Sequence, residues 1–167
     1  YNRSGTSFTR FGKLIPAGKM IAILGNGFNG MNNDFSFNTD FKLSTPLGLA
    51  YDSINQKLFV ADNGNHRIVM LDNSGQANTI FGTTTTTQNL TTNAEGSLGT
   101  ALVCHGPQDV HIIGDWLYIS CYNMHAIKKM NINPLSSSYL KGFMVIGYLN
   151  ASGVVVSGNS DGSTGTS

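Results

Sequence analysis

One sequence pattern occurs twice in this chain, about sixty residues apart. The stretch "KLFVADNGNHRIVMLD" aligns with "WLYISCYNMHAIKKMN", and "TIFG" aligns with "MVIG". Pro46 and Pro107 are 61 residues apart, and His66 and His125 are 59 apart. A third, partial copy begins earlier, because "AILG" at 22–25 lies 57 residues before "TIFG". Repeats of this kind fold as units that bury their apolar faces against one another.

Each copy has the composition of β-strands. The segments "LGLAYD", "KLFVAD", "HRIVMLD", "QDVHII", "WLYISCY" and "FMVIGYL" are short and rich in β-branched and aromatic residues. No stretch of a dozen residues combines helical periodicity with caps at both ends. We therefore predict an all-β chain with one four-stranded sheet over residues 41–82 and another over 102–147. Residues 1–25 read as the end of a further sheet, and 148–167 as the start of a connection or a tail.

These residues resemble the NHL-repeat β-propeller family. "PLGLAYD", "KLFVADNGNHRIVMLD" and "IFG" follow its repeat closely, whereas Cys121, Met124 and Ala126 replace the family's Asp, Asn and Arg in the second copy. The resemblance covers about residues 20–150 and implies four-stranded blades around an axis. Two to two and a half blades do not close a ring. Either three chains form a six-bladed homotrimer, or the chain is a fragment of a longer propeller.

The densest polar cluster is "DNGNHR", which follows the second predicted strand of the first copy. We expect Asn63 and Gly64 to tolerate positive φ in a tight turn, and Asp62 to cap backbone N–H groups. Arg67 is expected to cover apolar neighbours with its stem and to bond carbonyl oxygens of the adjoining blade. The turn has no evident need for the imidazole of His66, which makes that residue a candidate for function.

Composition restricts the partners. Charged residues make up 11% of the chain and the formal net charge is +1, so we expect no nucleic-acid partner. No stretch approaches the roughly 18 apolar residues of a membrane span, so we expect no membrane insertion. Any export signal is expected to have been removed or to lie outside this sequence. The low charge and abundant Thr, Ser and Asn favour an extracellular or cell-surface location.

Two further expectations concern the cysteines. The propeller geometry implied by the resemblance places Cys104, just before a first strand, near Cys121, at the end of a second strand. The pair is a candidate for one disulfide, which would persist outside the cell. The chain has no CxxC motif, so redox catalysis is not indicated.

In a propeller, the loops that join second to third strands and the connections entering first strands emerge on one rim. "DNGNHR", "CYNMHA", "NGFNGMNNDFSF" and "TTTTTQNLTTNAEG" are therefore expected to share a face, with Phe28, Phe35, Phe37 and Tyr122 among its aromatics. Aromatic rings and amides together are the groups that recognise sugars. The expected ligand-binding residues are Asn26, Phe28, Asp62, Asn63, Asn65, His66, Arg67, Tyr122, Asn123 and His125.

The sequence thus predicts a non-enzymatic recognition or adhesion module without a cofactor, binding glycan or protein, for example at the tip of a trimeric surface fibre. No catalytic residue is predicted, since no convergent constellation of nucleophile and base is evident. The alternative is a fragment of a propeller enzyme, a metal-dependent lyase or lactonase-like protein, whose rim site would contain His66 or His125.

Overall fold

The computed structural model describes residues 2–31, 36–82 and 96–147. Within these ranges the regular structure consists of β-strands and single-turn 3₁₀ helices, which confirms the predicted all-β class. No helix in the described part of the chain is long and apolar enough to cross a membrane. Strands β1 (Phe8–Arg10) and β2 (Lys13–Ile15) form a separate antiparallel hairpin.

The first repeat forms an antiparallel sheet of five strands in the spatial order β3-β7-β6-β5-β4, called here the first sheet. Its strands are β3 (Ser36–Phe37), β4 (Pro46–Asp52), β5 (Lys57–Asp62), β6 (Arg67–Leu71) and β7 (Gln76–Phe81). Four of these strands correspond to the predicted sheet over residues 41–82. The two-residue β3 adds a short outer strand against β7.

The second repeat forms the second sheet, four antiparallel strands in the order β11-β10-β9-β8. Its strands are β8 (Pro107–Ile113), β9 (Trp116–Cys121), β10 (Ala126–Asn131) and β11 (Gly142–Ile146). The registers of the two sheets agree, because Asp62 pairs with Pro46 and Cys121 pairs with Pro107. The alignment of the two sequence copies is therefore also an alignment of strands.

The first sheet lies between two apolar clusters because side chains alternate along its strands. The cluster shared with the second repeat includes Phe59, Ala61, Ile68, Phe81, Leu102, Val110, Leu117 and Ile119. The cluster on the opposite face includes Phe11, Phe41, Leu58, Val60, Val69 and Leu71. Fully burying a large apolar side chain is worth about 1.5–3 kcal/mol, so the two repeats are held together chiefly by the cluster that they share.

The first strands of the two sheets lie side by side, β4 against β8. Gly48 permits this approach: a Cβ atom at this position would lie 2.5 Å from the Cα of Asp109. A side chain there would therefore push β8 away from β4.

The partial third copy keeps one backbone contact of the first full repeat. The amide of Gly82 donates to the carbonyl of Gly99 at 3.1 Å, and the amide of Gly25 donates to the carbonyl of Asn38 at the same distance. Both donors have positive φ, 94° and 95°. Residues 22–24 nevertheless form no strand. The expected connection or tail at 148–167 lies outside the described residues.

Candidate functional site

The polar cluster of the first repeat forms a compact corner between β5 and β6, called here the first corner (residues 62–67). Asn63–Asn65 make one 3₁₀ turn, and His66 follows with φ of 56°. The prediction of positive φ at Asn63 and Gly64 is wrong, because the 3₁₀ turn keeps both right-handed and the reversal falls on His66. Gly64 is needed for another reason: a Cβ there would come within 2.9 Å of the Cβ of Ser44.

The first corner is built around a buried ion pair. Asp62 is 0% exposed and Arg67 is 1% exposed, and Nε of Arg67 donates to Oδ2 of Asp62 at 2.7 Å. The other carboxylate oxygen accepts the backbone N–H of Ser44 at 2.7 Å, and Asn65 Nδ2 donates to Oδ2 at 2.8 Å. A buried pair is tolerated when such additional hydrogen bonds replace its hydration.

Arg67 also binds the segment that leads into β4, residues 41–46, called here the first leading segment. Its terminal nitrogens donate to the carbonyl of Lys42 at 3.1 Å and to Oγ1 of Thr79 at 3.2 Å. The guanidinium lies 4.9 Å from the centre of the Phe41 ring. The Lys42 carbonyl belongs to the same repeat as Arg67. The prediction that Arg67 bonds carbonyl oxygens of the adjoining blade is therefore wrong. The Arg67 side chain therefore lies on the face of the first sheet that the first leading segment covers.

The other side of the first corner meets the second leading segment (residues 102–107). The backbone N–H of Gly106 donates to Nδ1 of His66 at 3.1 Å. Asn63 Nδ2 donates to the carbonyl of Pro107 at 3.1 Å. His66 therefore has a structural partner that sequence analysis missed, since Gly106 lies forty residues further along the chain.

The second corner (residues 121–126) repeats this shape with different chemistry. Tyr122–Met124 form one 3₁₀ turn, and His125 follows with φ of 49°. At the position of Asp62 stands Cys121, which forms a disulfide with Cys104. This disulfide joins the second corner to the second leading segment, as the Asp62 carboxylate joins the first corner to the first leading segment.

Lys128, two residues beyond the second corner, also binds the second leading segment. It is 2% exposed, and its Nζ donates to the carbonyl of Val103 at 2.6 Å. Val103 is 61 residues beyond Lys42, so this carbonyl is the equivalent of the one that Arg67 binds. Sequence analysis missed Lys128. The sequence signal for its burial was its position two residues before the apolar Met130. Side chains two residues apart in a strand lie on the same face.

The described corner loops lie along one edge of the molecule, called here the corner edge. The corner edge consists of residues 25–31, 63–66, 105–107 and 122–125. Besides the bonds of the first corner to the second leading segment, Asn65 Nδ2 donates to the carbonyl of Gly30 at 2.9 Å. The amide of Tyr122 donates to the carbonyl of Gly106 at 3.1 Å. Each segment is thus hydrogen-bonded to the next.

Accessibility divides the predicted ligand-binding residues into three groups. Asp62 and Arg67 are buried and bonded to each other within the first corner. The half-buried residues are Asn26, Asn63, Asn65 and His66, and the exposed ones are Phe28, Tyr122, Asn123 and His125. Phe37 is exposed on β3. Phe35 and the loop 83–95 lie outside the described residues.

A groove opens at each end of the corner edge. Phe28, which is 74% exposed, lines one of about 420 Å³ together with Asn26 and Pro46. Tyr122, which is 60% exposed, lines the other, of about 260 Å³, together with His125. In both grooves, aromatic and aliphatic surface lies next to an amide or imidazole group.

The metal site of the alternative prediction has no candidate among residues 2–31, 36–82 and 96–147. No three His, Cys, Asp or Glu side chains there are grouped in a way that could hold a metal ion. Nδ1 of His66 is already bonded to an amide hydrogen.

Comparison with known proteins relates one part of the chain to a family. No curated protein matches the chain. Residues 43–70 match the NHL repeat, and the match spans β4, β5, the first corner and most of β6. The buried Asp62 and Arg67 lie inside the matched region. The chain therefore contains an NHL repeat at residues 43–70.

Proposed function

We propose that this protein is an extracellular recognition module that binds a glycan through the corner edge, without catalysing a reaction. The observation that carries the proposal is the arrangement of two exposed aromatic side chains, Phe28 and Tyr122, at the two grooves of one hydrogen-bonded edge. Aromatic rings bind the C–H faces of sugars, and amides bond their hydroxyl groups. The corner bonds favour binding because they order the loops in advance.

The amide groups between the aromatic residues support a polar ligand. Asn63 and Asn65 are only half-buried, and Asn123 is exposed. Gln108 and Ser120 add an amide and a hydroxyl to the groove of Tyr122. A protein ligand remains the second class of partner for the same edge, with the exposed aromatic residues as its anchors.

The proposed architecture is a β-propeller in which the two sheets are neighbouring blades. The side-by-side first strands, the shared apolar cluster and the common registers support it. We further propose that three chains complete a six-bladed ring. Native mass spectrometry is then expected to give about three times the chain mass of 17.8 kDa, whereas a monomer at all concentrations would contradict the trimer.

The proposed extracellular location draws on the bond between Cys104 and Cys121. Disulfides persist in oxidising compartments and are rare in the cytosol. The low share of charged residues, 11%, agrees with this location.

Binding to an array of neutral and acidic glycans, repeated with a chelator, tests the function. Replacing Phe28→Ala or Tyr122→Ala is expected to weaken binding of a positive glycan about 2- to 12-fold, the equivalent of roughly 0.5–1.5 kcal/mol per aromatic contact. Ile54→Ala is the matched control, because Ile54 is 89% exposed in the turn between β4 and β5, away from the corner edge.

Three outcomes decide the proposal. Binding that is about 2- to 12-fold weaker in the two aromatic variants, with normal binding in the control and in chelator, supports it. Binding that is equally strong in all variants would place the ligand elsewhere and overturn the proposed site. Binding abolished by the chelator, together with retained metal in elemental analysis, would favour the metal-dependent alternative.

A further inference from the structure

The junction between the first corner and the second leading segment contains a hydrogen bond that requires an unprotonated imidazole. Nδ1 of His66 accepts the N–H of Gly106 at 3.1 Å. The acceptor nitrogen carries no hydrogen, so the proton of the neutral ring is on Nε2. If Nδ1 took up a proton, two N–H groups would point at each other and this bond would be lost.

A second imidazole lies beside the first. The ring centres of His66 and His105 are 5.1 Å apart, with an angle of 60° between the planes. His105 is 7% exposed, and its Nε2 has no hydrogen-bond partner in the described structure. Burial lowers the pKa of His105 below its ordinary 6.5, and the charges of His66 and Lys128 lower it further.

Among the described residues, the groups around the pair offer nothing to stabilise a positive charge. Lys128, on β10, contributes a like charge. The charges of the first corner, Asp62 and Arg67, are bonded to each other. Cys104, beside His105, is in a disulfide and does not titrate. Across the described ranges, neither imidazole forms an ion pair with a carboxylate.

We propose that His66 and His105 form an acid-sensitive junction between the two sheets, in which uptake of a proton by either imidazole separates the second leading segment from the first corner. The proposal concerns the junction itself and holds whatever ligand the corner edge binds. Because the junction joins two segments of the corner edge, acidification also changes the shape of that edge.

The direction of the pH effect follows from proton binding. The folded state binds a proton at His105 less readily than the unfolded state does, since its pKa is lower in the fold. This contribution to stability is therefore fully present above the unfolded pKa of about 6.5 and is lost as the pH falls through the folded pKa. Each unit of difference between the two pKa values changes the unfolding equilibrium about tenfold.

Unfolding by denaturant at pH 8, 7, 6 and 5 tests the proposal on the full chain. The test variant is His66→Asn with His105→Phe. Asn tolerates the left-handed backbone at 66 and can accept the Gly106 N–H without titrating, and Phe removes the unpartnered nitrogen. The unfolding constant of the wild type is expected to rise at least tenfold more between pH 8 and pH 5 than that of the variant.

The matched control is His125→Asn, the same substitution at the equivalent position of the second corner, where the histidine is exposed with φ of 49°. It should keep the wild-type pH profile. Equal profiles for wild type and double variant would overturn the proposal. If the double variant does not fold at pH 8, hydrogen exchange of the Gly106 amide in the wild type shows whether the junction is acid-sensitive. Its protection factor should fall at least tenfold between pH 7.5 and 5.5, and unchanged protection would refute the junction.

Discussion

The two corners of this molecule have the same backbone shape, and each fastens its own leading segment by different chemistry. In the first corner, the Asp62 carboxylate and the Arg67 guanidinium hold the first leading segment. In the second, the bond from Cys121 to Cys104 and the ammonium of Lys128 hold the second leading segment. In both corners, a histidine with a left-handed backbone conformation follows the 3₁₀ turn.

The difference between the two corners shows that the repeat requires a particular attachment but not a particular pair of residues to make it. The requirement is that the segment leading into the first strand be attached to the end of the second strand. An ion pair with four supporting hydrogen bonds meets it in the NHL repeat, and a disulfide with one buried lysine meets it in the next copy. Asp62 and Arg67, which the NHL resemblance emphasises, therefore have a structural role in fastening the first leading segment.

The largest expected effect comes from breaking the ion pair of the first corner. Asp62→Ala leaves Arg67 as a buried charge without its partner, and we expect the free energy of unfolding to fall by about 3–5 kcal/mol. Denaturant titration measures this loss. Asp62→Leu combined with Arg67→Met should cost less than Asp62→Ala, because no unpaired charge remains. A loss under about 1 kcal/mol for Asp62→Ala would contradict the structural role.

Removing the disulfide should have a somewhat smaller effect on the second corner. The two cysteines are 17 residues apart, and a cross-link over such a loop contributes about 3 kcal/mol. Replacing Cys104 and Cys121 together by Ser is expected to lower the free energy of unfolding by that amount. A reductant should reproduce the loss in the wild type and have no effect on the double variant. A wild type whose stability is insensitive to the reductant would refute this prediction.

The smallest expected effect concerns Lys128. Lys128→Met keeps the length and apolar stem of the side chain but leaves the Val103 carbonyl without this donor, so we expect a loss of about 1–3 kcal/mol in denaturant titration. Lys129→Met is the matched control, because the Lys129 ammonium lies over the ring of the half-buried Trp116 and should contribute less than about 1 kcal/mol. Equal losses in the two variants would mean that the bond to Val103 has no special role.

The strands and their order could be predicted from sequence because they depend on local and periodic information. The alternation of apolar residues defines the strands, and the recurrence of "KLFVAD" as "WLYISC" defines the second sheet. The corner position follows from Asn, Gly and Asp between two strands. The residue that takes positive φ could not be predicted, because it depends on the choice of a 3₁₀ turn over a two-residue turn.

Side-chain partners were harder to predict because they are distant in sequence. His66 bonds to an amide forty residues away, and Lys128 bonds to a carbonyl twenty-five residues away. Neither partner is a side chain with a recognisable identity. The disulfide was within reach only because the NHL resemblance aligned the strands that bring Cys104 and Cys121 together.

Hydrogen exchange of the two leading segments, 41–46 and 102–107, tests most directly that the corners use different fastenings. In the wild type, a reductant is expected to accelerate exchange in 102–107 and to leave 41–46 unchanged. Arg67→Ala is expected to accelerate exchange in 41–46 much more than in 102–107. If both segments respond alike to each change, or if the reductant acts on 41–46, the account of two independent fastenings is contradicted.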